Sequence, residues 1–529
     1  MKKVRSLFDL RPLRCFMIVT LILSSWIIAK PCSSKAASIK GEKNRLVFCI
    51  SPSIVSLDPT NHRSRDTQIV LKNMFDSLTT RDANMKVVPQ LAESWQALND
   101  TTWEFRLRRG VKFHNGDDFT AEDVKFTLER VVKEGALDGK TSPRKGLFEP
   151  LSGVKIIDDY TVHIKTEKPW PILPLMLALQ EILPNKYLKR VGTQGFLKYP
   201  IGTGPFKFVR REEGKLLILE RFEDYYGGSP EIPPVQMAPL KYLIFKIVPI
   251  KVEQIAMLKK GECDIITRVP SGTVLILRTT PGIKISGCPA TRSYFAEINC
   301  TKPPLNDPRI RLAMNYAADM QAVVDHILQG FGTVLPTVLL PNAFAYNSSL
   351  KPYTYNPKLA KKLLNDSGFP ESRSIAINCL EDDRKFASVI ASFLTRVGVK
   401  SAINVVDHWR PEAYGKNAKW DIFVGSWGNS TLDPVGILVP KFKTDARGNF
   451  SKYSNGEADK LFSLAEGTLD PQLRENYYKK IQEIIYKDAP MIFGYAAEEF
   501  YGLRKRVKNF MPSPSGMMNM HDVYIKNGK

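Results

Sequence analysis

The residue types that carry chemistry are all present in this chain, but their spacing argues against most of that chemistry. Six histidines stand at 62, 114, 163, 326, 408 and 521, and no two have the spacing of paired metal ligands. Seven cysteines include no CxxC pair, so a zinc cage is not expected. Neither HExxH nor G-x-S-x-G occurs. GALDGKTS at 135–142 has three residues between its glycines, where a phosphate-wrapping loop needs four, and a charged helix rather than a strand precedes it. PIGTGPF at 200–206 lacks the third glycine of a dinucleotide fingerprint, and Pro205 spoils the helix start that must face pyrophosphate. RKRVK at 504–508 has no interleaved aromatics and reads as a solvated surface, so nucleic acid is not an expected partner. These absences favour binding over catalysis. No catalytic residue, metal or cofactor is assigned.

The elements that must position any binding site are mixed. The chain has 529 residues, 43% hydrophobic and 25% charged, a balance that excludes disorder and a polytopic membrane protein. RLVFCI at 45–50 reads as a buried strand. Trp103, Phe105 and Leu107 alternate with charged residues, the period of a half-buried strand. Thr120 suits an N-cap, with Glu122 and Asp123 in the first turn that follows. Helical patterns cover 66–80, 307–329, 356–367, 385–397 and 471–487; WDIFVGSW at 420–427 reads as a strand. The class is therefore α/β or α+β.

The formal charge is +22. Part of it belongs to the first 36 residues, where a basic stretch precedes the 15-residue apolar run CFMIVTLILSSWIIA. That run is short for a membrane span and suits an export signal, with Ser34 and Ala36 as the small residues before cleavage at Ala37. Cys32 follows Ala-Lys-Pro, a poor match to a lipid-attachment signal. Seven basic residues and one acid leave with residues 1–36, so 69 basic against 53 acidic residues remain. Export also permits a disulfide among the five remaining cysteines, 49, 263, 288, 300 and 379.

PQLAESW (89–95) followed by WEFRLRRGVKFHNGDDFTAEDV (103–124) resembles the signature of the extracellular solute-binding proteins, family 5, of peptide and nickel ABC importers. The resemblance continues through PIGTGPF, ERFEDYYGG (220–228), PPLNDPRIRLAMNYAAD (303–319), YNPKLAKKLLNDSGF (355–369), YSNGEADKL (453–461) and LRENYYKKIQEIIYKDAPMI (473–492). It implies a type II periplasmic-binding fold: two α/β lobes, made of three domains, around a ligand cleft. One lobe is expected from 38–82, 198–300 and 491–529, an extra domain from 83–197, and the other lobe from 301–490. The implied protein is a periplasmic monomer that captures oligopeptides and docks on permease subunits. Arg309 and Arg311 are expected to pair with acids near the lobe boundary. Gly202 and Gly204 are expected to supply unusual backbone angles. Cys49 and Cys263 resemble the positions of a disulfide in dipeptide-binding relatives, with the other three cysteines free.

The resemblance also points to ligand residues. The segment after the strand, GSWGNSTLDP at 425–434, corresponds to the ligand segment: Trp427, Gly428, Asn429 and Ser430. Peptide binders carry an Asp three residues after this Trp, where it meets the peptide ammonium; here that residue is Ser430. The departure opens an alternative in which the same transport role serves an acidic cell-wall peptide, glutathione or a nickel chelate. Asp433 reads either as a ligand contact or as the N-cap before Pro434. Arg384 resembles an arginine that holds a ligand carboxylate, and pairing with Asp382 or Asp383 is the other reading. Tyr294, Asn299 and Trp409 are candidate cleft walls.

Overall fold

The computed structural model describes residues 39, 42–51, 54–231, 237–407, 419–516 and 518–526. The expected leader at 1–36, Cys32 and Trp409 lie outside them. The main sheet has 11 strands and runs through both lobes. From one edge it contains Lys400–Val405, Ser374–Cys379, Ile422–Gly428, Ile283–Ile298 and Met491–Arg504. It continues through Ile265–Ile266, Arg45–Ile50, Tyr242–Ile247, Leu216–Arg221 and Phe206–Glu212, and the eleventh strand, Gly332–Val334, pairs with Met491–Arg504 off this path. Arg45–Ile50 is parallel to both of its neighbours and almost wholly buried, which is why its sequence is a continuous apolar run.

Two long strands join the lobes. The first half of Ile283–Ile298 pairs with the second half of Met491–Arg504; its second half pairs with Ile422–Gly428 and with residues 491–496. The passage between lobes lies inside these strands, where the register shifts between Pro289 and Ser293. A bulge there bends the ladder without breaking it.

A second sheet of four antiparallel strands, Ala92–Asn99, Thr102–Leu107, Thr161–Thr166 and Leu151–Asp158, forms the extra domain. Phe105 and Leu107 face its core as the alternation requires, and Trp103 is half-buried. Helix Ala121–Val132 packs on it. The Thr120 backbone N–H donates to the Asp123 carboxylate at 2.9 Å, the reciprocal half of a capping box.

Several expectations are corrected. The helix expected over 66–80 is Arg65–Leu71. Beyond it Asn73 donates to the carbonyls of Ile69 and Met518 and accepts from the Met520 N–H, holding the chain in a turn. The helix expected over 307–329 stops at Ala317, because Asp319 caps a new turn by accepting from the Ala322 N–H. Arg309 pairs with Asp307, but Arg311 meets no acid side chain. Its guanidinium donates to the carbonyls of Asp488, Leu305 and Asn306 at 2.8–3.0 Å, so its role is to satisfy chain ends. Gly202 and Gly204 do not have positive φ. They are needed for close approach: a Cβ on Gly204 would lie 2.6 Å from the Met74 backbone.

Candidate functional site

The strand Ile422–Gly428 ends at the mouth between the lobes, and the loop after it is fixed by its own side chains. Trp427 Nε1–H donates to the Gly436 carbonyl at 2.8 Å. Asn429 is buried; its amide donates to the Asp433 carbonyl at 3.0 Å, and its Oδ1 accepts from the Thr431 hydroxyl at 2.6 Å. Arg81, reaching from the other side, donates to the Ser430 carbonyl and ties the loop across the cleft. Burial pushes the Arg81 guanidinium down to about 10, while the nearby Asp433 charge opposes that shift.

This loop forms one wall of a cavity of about 390 Å3. Trp427, Gly428, Asn429 and Ser430 all line it. The opposite wall comes from the start of helix Arg65–Leu71, with Arg63, Arg65 and Gln68, and from Arg144 and Met176 of the extra domain. A second hollow of about 460 Å3 shares Leu147, Met176, Thr431, Gly436 and Arg447 with the first. Both fall within the usual size of small-molecule sites, about 300–1,000 Å3.

The remaining expected residues lie elsewhere. Asp433 lines a neighbouring hollow, but both of its carboxylate oxygens are taken by Arg474 at 2.6 and 2.7 Å, and it also accepts from the Val435 N–H at 3.0 Å. Its place is that of a buried ion-pair partner and N-cap. Arg384 is exposed at the start of helix Arg384–Arg396 and meets Glu381 at 3.6 Å, neither Asp382 nor Asp383. Tyr294 stacks on Tyr495 with ring centroids 4.9 Å apart. Asn299 accepts from the Thr301 hydroxyl at 3.0 Å inside the far lobe. None of these last three lines the cavity.

The cavity residues that sequence reasoning missed are arginines. Arg144 is buried and donates to Gln68 Oε1 at 3.1 Å and to the Leu179 carbonyl. Burial, then the Arg144 guanidinium 3.3 Å away, pushes His62 down to about 3, so that ring stays neutral beside the cleft. Arg65 meets Glu499 at 3.1 Å. Arg447 lies over the Trp427 ring at 5.2 Å from its centroid. Positions 63, 144 and 447 are single arginines in unrelated loops, and no local pattern joins them.

Cys49 and Cys263 are both buried and carry free thiols in the structure. They are neighbours: burial, then a hydrogen bond with Cys49, raises the Cys263 thiol far above the usual range. The Cys263 S–H donates to the Ile265 carbonyl at 2.9 Å.

Two lobes of one continuous sheet, joined by paired strands and facing each other over a cavity, form the architecture of a solute-binding protein. Residues 86–449 match the family described as "Bacterial extracellular solute-binding proteins, family 5 Middle". The chain belongs to this family. It is 27% identical to the glutathione-binding protein GsiB of Salmonella typhimurium (strain LT2) over 490 residues, covering 89% of this chain and 93% of that one. It is 27% identical to the dipeptide-binding protein of Escherichia coli K12 over 525 residues, covering 93% and 96%. Among solved structures, HbpA2 from Haemophilus parasuis superimposes with a TM-score of 0.83 at 26% identity, covering 92% of this chain and all of that one.

Proposed function

We propose that this chain is the exported substrate-binding component of an ABC importer, capturing short peptides in the interlobe cleft and delivering them to membrane permease subunits. The observation that carries this reading is the cavity at the Trp427–Thr431 loop, in a family whose similar members include a dipeptide-binding protein. The chain acts as a periplasmic monomer after cleavage near Ala36, and no catalytic step is assigned to it. The domain limits 83–197 and 301–490 belong to the same reading. Separate apolar clusters support this division, one built from residues 78–182 and two built mainly from residues 295–496, which carry the far lobe a few residues beyond 301 and 490.

Native mass spectrometry of the protein as purified tests the reading. A bound species that fragments as a peptide is expected. If no peptide copurifies and none raises the melting temperature, the reading fails.

Ser430 favours a second reading, in which the ligand presents no conventional α-ammonium to this loop. Ser430 is exposed in the cavity and only its carbonyl is engaged. Ser430→Asp supplies the missing carboxylate. It should tighten binding of dipeptides with a free amino terminus by roughly tenfold, or ~1.4 kcal/mol. Equal affinities by calorimetry would mean that this position does not face the ammonium.

A further inference from the structure

The 390 Å3 cavity is lined by four arginines, 63, 65, 144 and 447, and by no carboxylate among the described residues. Two of the four are already compensated within the protein. Arg65 has Glu499 at 3.1 Å and donates to the Pro514 carbonyl. Arg144 is engaged by Gln68 and Leu179, with the Glu181 charge nearby. Arg63 and Arg447 are different. Neither has an ion pair or hydrogen bond among the described residues, and they come from opposite lobes. They are close enough that the charge of Arg63, after burial, depresses the ionisation of Arg447. The adjoining hollow is mixed, with Lys168, Glu149 and Glu466 on its walls and Glu466 tied to Lys443 at 2.5 Å. Arg447 lines both hollows, but only the cavity beside Ser430 has Arg63 as well and no carboxylate, so the uncompensated positive charge is greatest there.

We propose that the cargo is an anionic peptide whose carboxylate is held between Arg63 of one lobe and Arg447 of the other, so that the ligand's negative charge is what allows the lobes to close. This rests on the peptide reading above and names the class of peptide. Two guanidinium groups brought together without a counter-ion repel, and the cost grows as closure excludes water. A carboxylate between them turns that repulsion into two charge-assisted interactions, which guanidinium forks can make bidentate. Ser430 then has a reason: an acid at this position would face the ligand's own anion. Trp427 holds the Arg447 guanidinium over its ring, 5.2 Å from the centroid.

The test is calorimetric titration of ligand-free protein with Ala-Glu-Glu, Ala-Ala-Ala, Ala-Lys-Lys and citrate. Ala-Glu-Glu is expected to bind at least tenfold more tightly than the neutral and cationic peptides. Arg63→Gln and Arg447→Gln should each remove most of that preference while leaving the melting temperature of the unliganded protein nearly unchanged, since neither side chain has an ion pair or hydrogen bond to lose. If Ala-Ala-Ala binds as tightly as Ala-Glu-Glu, the charge assignment is overturned while the peptide reading stands. If citrate binds and no peptide does, the peptide reading falls, and the two variants show whether the arginine pair holds the anion. If none of the four binds, both are overturned.

Discussion

Asp433 shows how a residue can sit in the right segment and do a different task. With 4% exposure and a two-pronged pairing to Arg474, it is a structural acid that anchors the ligand loop to helix Pro471–Asp488. Arg474 also packs over Phe344 and Tyr478, both 5.1 Å from its guanidinium carbon, so the whole assembly is shielded from water. Asp433→Ala would leave that guanidinium buried and unpaired. We expect a loss of roughly 3–5 kcal/mol of stability in urea unfolding. An unchanged midpoint would show that Arg474 finds another partner. At this scale the sequence was informative for one stretch and silent for the rest. Trp427 to Ser430 are consecutive, so a single motif locates them. Arg63, Arg144 and Arg447 meet only because the chain folds three distant loops onto one cavity, and arginine is common on any surface. Asp433 was legible as an N-cap from the proline after it, but its arginine lies 41 residues away and could not be read.

At the scale of elements, two of the family's motifs turn out to be one joint. His114, in the VKFHNGDD turn, accepts from the Gly202 N–H at 3.1 Å through Nδ1 and reaches the Gly204 carbonyl at 2.9 Å through Nε2. The His114 N–H donates to the Gly202 carbonyl at 2.9 Å. Burial lowers the ring to about 4, so it is neutral, with one nitrogen accepting and the other donating. On its other side the Gly204 N–H donates to the Met74 carbonyl at 3.0 Å. The extra domain, the PIGTGPF crossing and the chain after the first helix are thus fastened at one point. Gly204→Ala forces a methyl group into the Met74–Phe75 backbone, with 2.6 and 2.7 Å contacts. Overpacking of this kind costs roughly 1–3 kcal/mol, read as a lower denaturation midpoint. If the midpoint holds, the backbone there yields more readily than the contacts imply. Both motifs were visible in the sequence, and Thr120 was legible as a helix start. Their meeting was not, because 88 residues separate the two strings.

For the whole molecule, export and the fold have a joint chemical consequence. Cys49 lies on the central strand Arg45–Ile50, and Cys263 lies beside it on the approach to Ile265–Ile266, within one buried cluster. In an oxidising compartment we expect these two thiols to pair, leaving Cys288, Cys300 and Cys379 reduced. Such a link between distant positions typically adds about 2–4 kcal/mol. Peptide mapping without reductant should find the Cys49 and Cys263 peptides joined; alkylation of both in the unfolded, unreduced chain would exclude the bond. The overall architecture was legible because many ordered motifs span the chain, whereas the exact point of crossing was not, because a bulge inside two long strands leaves no turn signal. That crossing also bears on descent. Pro289 stands opposite Glu498 and Ser293 opposite Ala496, so the chain leaves for the far lobe and returns from it at adjacent positions. The far lobe is, topologically, one long insertion between two neighbouring antiparallel strands. A segment with its two ends side by side can be exchanged between related genes as a single cassette, giving one half of the cleft a new chemistry while the strand pair that carries it keeps its register.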